Sequence, residues 1–260
     1  MRRDRRGKGN IGRSVGAQGR QKCGRKRPRG MRRKNQMTDR NKKLHIEGAI
    51  FDLDGTLLDS TYVWEDFGNR FFDGTGITPR PTLRDDIRSL TLRQAAEYCI
   101  KEYGINRTPE QLMDHINENL RSFYAEEVKL KKGVQAFLRF LHEKGVPMCV
   151  ATATDRRLSE SALERYGLLS YMSDIVTCTD TGLSKNTPAI FEYAREKMGG
   201  PSKEHTFVFE DAFHAIKTAR SGGYGVVGIY DVSEERNRKE IERLSDLYIA
   251  DFEGLDACFE

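Results

Sequence analysis

The sequence predicts an α/β protein, a doubly wound parallel sheet with a block of helices inserted after its first strand. Three observations predict it. From Gly133 onward, short apolar runs of strand length alternate with amphipathic helical stretches, the pattern of crossovers that cover both faces of a parallel sheet. A first apolar run, Gly48-Ala49-Ile50-Phe51, ends in a tight acidic turn, Asp52-Leu53-Asp54-Gly55-Thr56. Between Ser60 and Ala125 the apolar spacing is helical and no strand pattern appears.

The first strand is expected at 47–51. A helix over 60–72 follows, with Ser60 or Thr61 near its N-cap, and Gly74, Gly76, Pro79 and Pro81 break it. Further helices are expected near 83–90, 93–103 and 109–124, the last with Thr108 as N-cap and Pro109 in its first turn. The alternating part then reads as helix 133–144, strand 146–152, helix 155–166, strand 174–177 and helix 188–197. Strand 206–209, helix 212–221, strand 225–229, helix 234–244 and strand 247–249 complete it. The expected division is a basic tail over 1–43, a sheet domain over 44–60 and 126–260, and a helical insert over 61–125.

Charge is distributed unevenly. Residues 1–36 hold fifteen Lys or Arg against one acid, Asp4, which leaves a net charge of −9 on the remainder. That segment has too few large apolar residues to fold by itself. One reading makes it a nucleic-acid-binding arm, although it has no interleaved aromatics for base stacking. The reading that fits better starts translation at Met37 in a bacterium: Arg32-Arg33 can be encoded by a purine-rich ribosome-binding sequence at the right distance, so that 1–36 would not be translated. Nucleic acid is therefore not an expected partner. No run is long and apolar enough to span a membrane, and the N-terminus lacks the apolar core of a secretory signal. The five cysteines are scattered without pairing or metal spacing, which fits a reducing, cytoplasmic setting, and Cys149 reads as a small core residue. His115, His142, His205 and His214 show no ligand spacing.

In open parallel sheets the site lies at the carboxyl ends of the strands. Asp52 and Asp54 leave the first strand on the same side of an extended chain, and two such close carboxylates call for a divalent cation or a shared proton. The second strand ends in Ala151-Thr152-Ala153-Thr154, the third is followed by Ser184-Lys185-Asn186-Thr187-Pro188, and the fourth ends in Glu210-Asp211. Carboxylates, hydroxyl, lysine and carboxylates thus recur at successive strand ends.

This order resembles the haloacid-dehalogenase-like (HAD) hydrolase superfamily across residues 46–252. Asp52-Leu53-Asp54-Gly55-Thr56 is similar to its first motif, Thr152 to its second, Lys185 with Pro188 to its third, and Glu210-Asp211 to its fourth. The resemblance implies a Rossmann-like core with an α-helical cap, and a phosphatase acting on a small phosphorylated metabolite. It implies Asp52 as nucleophile forming an aspartyl-phosphate and Asp54 as proton shuttle. Thr152, with Thr154 as competitor, and Lys185 would hold the phosphoryl group. Mg²⁺ would sit on Asp52, the Asp54 main-chain carbonyl and Asp211, with Glu210 as ligand or as holder of the metal's waters. Gly55, Thr56, Trp64, Arg88 and Arg93 are candidates for substrate contact, with Trp64, Phe67 and the two arginines in the cap. An acid at Asp54 suits transfer to oxygen rather than dehalogenation. A sugar-phosphate mutase resembling β-phosphoglucomutase is the alternative. Its cap-hinge histidine is matched here by Trp64, and its phosphate-clamping arginine falls at Leu92, one residue from Arg93. Against the commonest phosphatase pattern, Ala215 stands where a further Asp is usual. A monomer or weak dimer is expected.

Overall fold

A computed structural model describes residues 43–65, 71–87 and 90–260, without the side chains of Trp64, Glu65 and Arg84. The basic segment 1–36 and Met37 lie outside the described residues. Among the described residues six strands form one parallel sheet: β1 (Gly48–Phe51), β2 (Met148–Thr152), β3 (Met172–Thr177), β4 (Thr206–Glu210), β5 (Gly225–Ile229) and β6 (Leu247–Ile249). Their spatial order is β3-β2-β1-β4-β5-β6. The chain therefore winds outward one way from β1 and then returns to wind the other way from β4.

Side-chain alternation explains why both faces are covered. Ala49 pairs with Met148 and Phe207, and Phe51 with Val150 and Phe209, all buried on one face. Ile50 pairs with Cys149 and Val208 on the opposite face. Every residue of β1, β2, β4 and β5 is buried, as a sheet sandwiched between helices requires. On the first face Phe51 stacks on Phe209 at 4.5 Å, Phe137 of α5 (Val134–Glu143) meets Phe51 edge-on, and α6 (Arg156–Arg165) buries Leu158 and Leu163. On the second face lie α8 (Ala189–Lys197) and α9 (Phe213–Ser221), through Ile190, Phe191, Ile216 and Ala219. The Cys149 thiol is buried there, donates to the Asp174 carbonyl at 3.2 Å, and is pushed up to about 12 by burial.

The regular structure in the insert's described residues is all helical: α1 (Thr61–Glu65), α2 (Leu83–Ile87), α3 (Leu92–Tyr103) and α4 (Pro109–Ser122), followed by a π-turn, Phe123–Glu127. Helices α3 and α4 each start with a full capping box, Thr91 with Gln94 and Thr108 with Gln111, and such a cap contributes about 1 kcal/mol. Gly104 closes α3 at φ +68°, a conformation that favours glycine. Leu92, Ala96, Leu112, Ile116 and Leu120 continue the apolar cluster of the sheet's first face into the insert. No helix among the described residues is long and apolar enough to cross a membrane.

Two expected helices differ. The 60–72 helix is observed only as α1, and Phe71 and Phe72 lie in a turn, with 66–70 outside the described residues. The 234–244 helix begins instead as a 3-10 segment, Val232–Asn237, before α10 (Arg238–Leu244). There the Asp231 side chain accepts from the Ser233 N–H at 3.0 Å, and Asn237 donates to buried Glu234 at 2.6 Å. These local bonds favour the tighter turn over an α-helical start.

Candidate active site

The switch in winding between β1 and β4 opens a crevice at their carboxyl ends, where ligands bind in open sheets of this kind. Asp52 is the first residue after β1, and its N–H donates to the Phe209 carbonyl at 2.9 Å. Glu210 closes β4 and Asp211 follows it. Thr152 closes β2. Lys185 stands in the loop between α7 (Cys178–Thr181) and α8. The turn after Asp52 needs its glycine. Gly55 has φ +88°, and a Cβ there would lie 2.5 Å from Asp211 Oδ2.

The Lys185 ammonium is buried and donates to both Asp52 Oδ1 and, at 2.8 Å, Glu210 Oε2. Burial works against its charge, but Asp52 and Glu210 outweigh burial and hold it above the ordinary lysine value. The other Glu210 oxygen accepts from the N–H groups of Asp211 and Ala212 at 3.2 and 3.0 Å. Glu210 is thus committed on both sides. Asp211 Oδ1 accepts from Thr56, itself fully buried, at 3.1 Å.

Asp52, Glu210 and Asp211 each offer an oxygen within 4.8 Å of the other two. One lysine does not neutralise them. Burial first, then the charge of Glu210, pushes Asp52 up to about 6 despite Lys185. Asp211 is driven well above the carboxylate range by burial and by Asp52, Glu210 and Asp231. A crowded, dry, all-oxygen donor set with excess negative charge fits a hard divalent cation such as Mg²⁺.

Asp54 sits in different surroundings from Asp52. Its Oδ1 accepts from Ser60 at 2.6 Å and from the Tyr124 hydroxyl at 2.5 Å, and its Oδ2 accepts from Thr154 at 2.5 Å. Burial and the charge of Asp52 raise its affinity for a proton, while the three hydroxyls pull the other way. The Thr154 N–H donates to Thr152 Oγ1 at 3.0 Å. So Thr154 holds Asp54 through its hydroxyl and the end of β2, at Thr152, through its backbone.

Several of these groups were not apparent in the sequence. Asp231, after β5, is buried and accepts from Lys131 at 3.2 Å and from Thr61 at 2.9 Å. Burial would raise it, but Lys131, Ser233 and Thr61 hold it below the ordinary value. Tyr124, Lys131 and Asp231 carry no motif signal; only the rule that sites gather at strand carboxyl ends would have directed attention to Asp231 after β5. Of the substrate-contact candidates, Gly55 and Thr56 lie against Asp211. Arg93 is exposed at the start of α3 and pairs with Glu110 at 2.8 Å and Glu97 at 3.8 Å. The Trp64 side chain, Phe67 and Arg88 lie outside the described residues.

Known proteins resemble the chain in sequence and fold. A phosphorylated carbohydrates phosphatase of Thermotoga maritima is 26% identical over 186 residues, covering 70% of this chain and 86% of that protein. A phosphoglycolate phosphatase of Agrobacterium fabrum is 26% identical over 219 residues, covering 82% and 92%. The crystal structure of a CbbY variant from Rhodobacter sphaeroides in complex with xylulose-(1,5)bisphosphate is similar in fold, with a TM-score of 0.71 and 18% identity over 81% of this chain and 96% of that one. The family described as haloacid dehalogenase-like hydrolase matches residues 49–229. That span runs from β1 to the end of β5 and so takes in each strand that furnishes an acid of the crevice: the chain belongs to the haloacid dehalogenase-like hydrolase family.

Proposed function

We propose that this protein hydrolyses the phosphate monoester of a small metabolite through an aspartyl-phosphate on Asp52. The observation that carries the reading is the contrast between two acids two residues apart. Asp52 faces an ammonium and two further carboxylates, while Asp54 is held by three hydroxyls. Acids kept in such different surroundings take different roles.

An Asp52 oxygen attacks phosphorus, and the ester P–O bond breaks with its electron pair leaving on the alcohol oxygen. Asp54 gives that oxygen its proton. Water then forms the new P–O bond, the aspartyl oxygen leaves, and the proton from water returns to Asp54. Lys185 holds Asp52 in its ionised form and offsets charge on the phosphoryl group, and Thr152 donates to a phosphoryl oxygen. Asp52, Asp211 and the Asp54 carbonyl would hold Mg²⁺, which when bound supplies positive charge against the phosphoryl oxygens. Glu210, committed to Lys185 and two backbone N–H groups, suits the outer holder better than a direct ligand.

The similar proteins named as phosphatases support hydrolysis over isomerisation. The insert packed beside the crevice supports a small substrate, since a helical lid leaves little room for a macromolecule. The test is phosphate release from p-nitrophenyl phosphate and a panel of phosphorylated metabolites, with Mg²⁺ and after chelation, for the parent and for Asp52→Asn. Metal-dependent turnover lost in the variant is expected. A folded, Mg²⁺-supplied parent that releases no phosphate, or one that interconverts glucose phosphates instead, overturns the reading.

A further inference from the structure

The two cap linkers run antiparallel past the acidic turn. Asp59 N–H donates to the Lys129 carbonyl and Lys131 N–H to the Leu57 carbonyl, both at 2.8 Å. Just before the second linker, the helical insert ends in a π-turn closed by the Val128 N–H on the Phe123 carbonyl at 2.8 Å. Such turns carry one residue more than an α-turn and are frequent at functional sites. This one holds Tyr124. Its ring is fully buried, edge-on to Phe123 at 5.3 Å, and its hydroxyl reaches Asp54 across seventy residues of sequence.

A carboxyl oxygen has two lone-pair sites. Ser60 and Tyr124 fill both on Oδ1 of Asp54, whereas among the described residues Oδ2 takes only Thr154. We propose that Tyr124 is a positioning residue for the reaction: with Ser60 it saturates Oδ1, so that the proton Asp54 transfers is carried on Oδ2, in one fixed direction. Building on the phosphatase reading above, this inference assigns the direction of the acid to a hydroxyl contributed by the insert. In the transfer step the proton leaves Oδ2 for the alcohol oxygen as the ester P–O bond breaks, and Oδ1 keeps both its donors throughout.

The test compares leaving groups. Nitrophenolate departs without a proton, whereas benzyl alkoxide needs one. The quantity to compare is kcat/KM, which reports the transfer step before the covalent intermediate is hydrolysed. Tyr124→Phe keeps the ring and removes only the hydroxyl. It is expected to lower kcat/KM on benzyl phosphate about tenfold, a fraction of what general-acid catalysis supplies, and on p-nitrophenyl phosphate by less than about twofold. Ser60→Ala, which empties the other site on Oδ1, should show the same selectivity and serves if Tyr124→Phe does not fold. Asp54→Asn should show it more strongly. Tyr224→Phe removes another buried tyrosine hydroxyl, bonded to Glu192 at 2.8 Å far from this turn in sequence, and should change neither substrate. If Asp54→Asn is selective but Tyr124→Phe and Ser60→Ala slow both substrates equally, or neither, the positioning role is overturned while the phosphatase reading stands. A parent that turns over neither substrate overturns both.

Discussion

The crowding of Asp52, Glu210 and Asp211 should be measurable as a pH-dependent instability once divalent cations are stripped. Asp52 is pushed up to about 6 in the folded chain from an ordinary 3.8. A carboxyl raised on folding stabilises the native state below its unfolded value and loses that contribution as pH rises through its folded value. At about pH 5, one unit below the folded value, native Asp52 holds its proton about tenfold in excess while the unfolded chain is ionised, a contribution of about 1.4 kcal/mol. By about pH 7.5 that contribution is gone. Asp54 and Asp211, raised by the same burial and repulsion, act in the same direction. For a domain of this size, Asp52 alone should lower the melting temperature by roughly 3–6 °C between those pH values.

The assay is calorimetry on chelator-treated protein across that range, repeated with excess Mg²⁺. Mg²⁺ should restore the loss at the higher pH, since a ligand that binds only the native state stabilises it. Asp52→Asn should flatten the metal-free slope. A metal-free protein whose melting temperature is flat or rises from pH 5 to 7.5 would refute the idea that these carboxylates are crowded and under-neutralised. So would an absence of any shift with Mg²⁺.

Three other substitutions probe the surroundings. Gly55→Ala places a Cβ 2.5 Å from Asp211 Oδ2 at a φ of +88°, and should weaken Mg²⁺ binding by calorimetric titration at least about tenfold. Lys131→Met leaves buried Asp231 without its cation. Breaking such a pair costs roughly 3–5 kcal/mol, and urea unfolding at neutral pH should show a loss of that order. Arg93→Ala removes an exposed pair with Glu110 and should leave KM for any turned-over metabolite unchanged; a rise of about tenfold would instead put Arg93 on the substrate.

Much of the sheet could be read from the chain alone because its signals are local. The bounds of β5 and β6 coincide with the apolar runs 225–229 and 247–249, and Thr108 caps α4 just ahead of Pro109, as their order in the chain implies. The strand-end acids and Lys185 were visible too, since each sits at a fixed offset from a strand or helix boundary. Local rules failed where a side chain competes with the backbone, as at Asp231, whose bond to the Ser233 N–H turns an expected α-helical start into a 3-10 segment.

By itself the sequence determined the class of fold, the order of its strands along the chain, and which acids stand at the ends of β1 and β4. Periodicity and turn chemistry act over a few residues, and those features depend on nothing more. Only the tertiary structure decided what each acid is given to hold it. Tyr124 and Thr154 reach Asp54 from 70 and 100 residues away, and Lys185 reaches Asp52 from 133. A hydroxyl or an ammonium acts on a carboxylate through distance and exclusion of water, and neither is a property of position along the chain. That is why Asp52 and Asp54, two residues apart in one motif, end in different electrostatic surroundings.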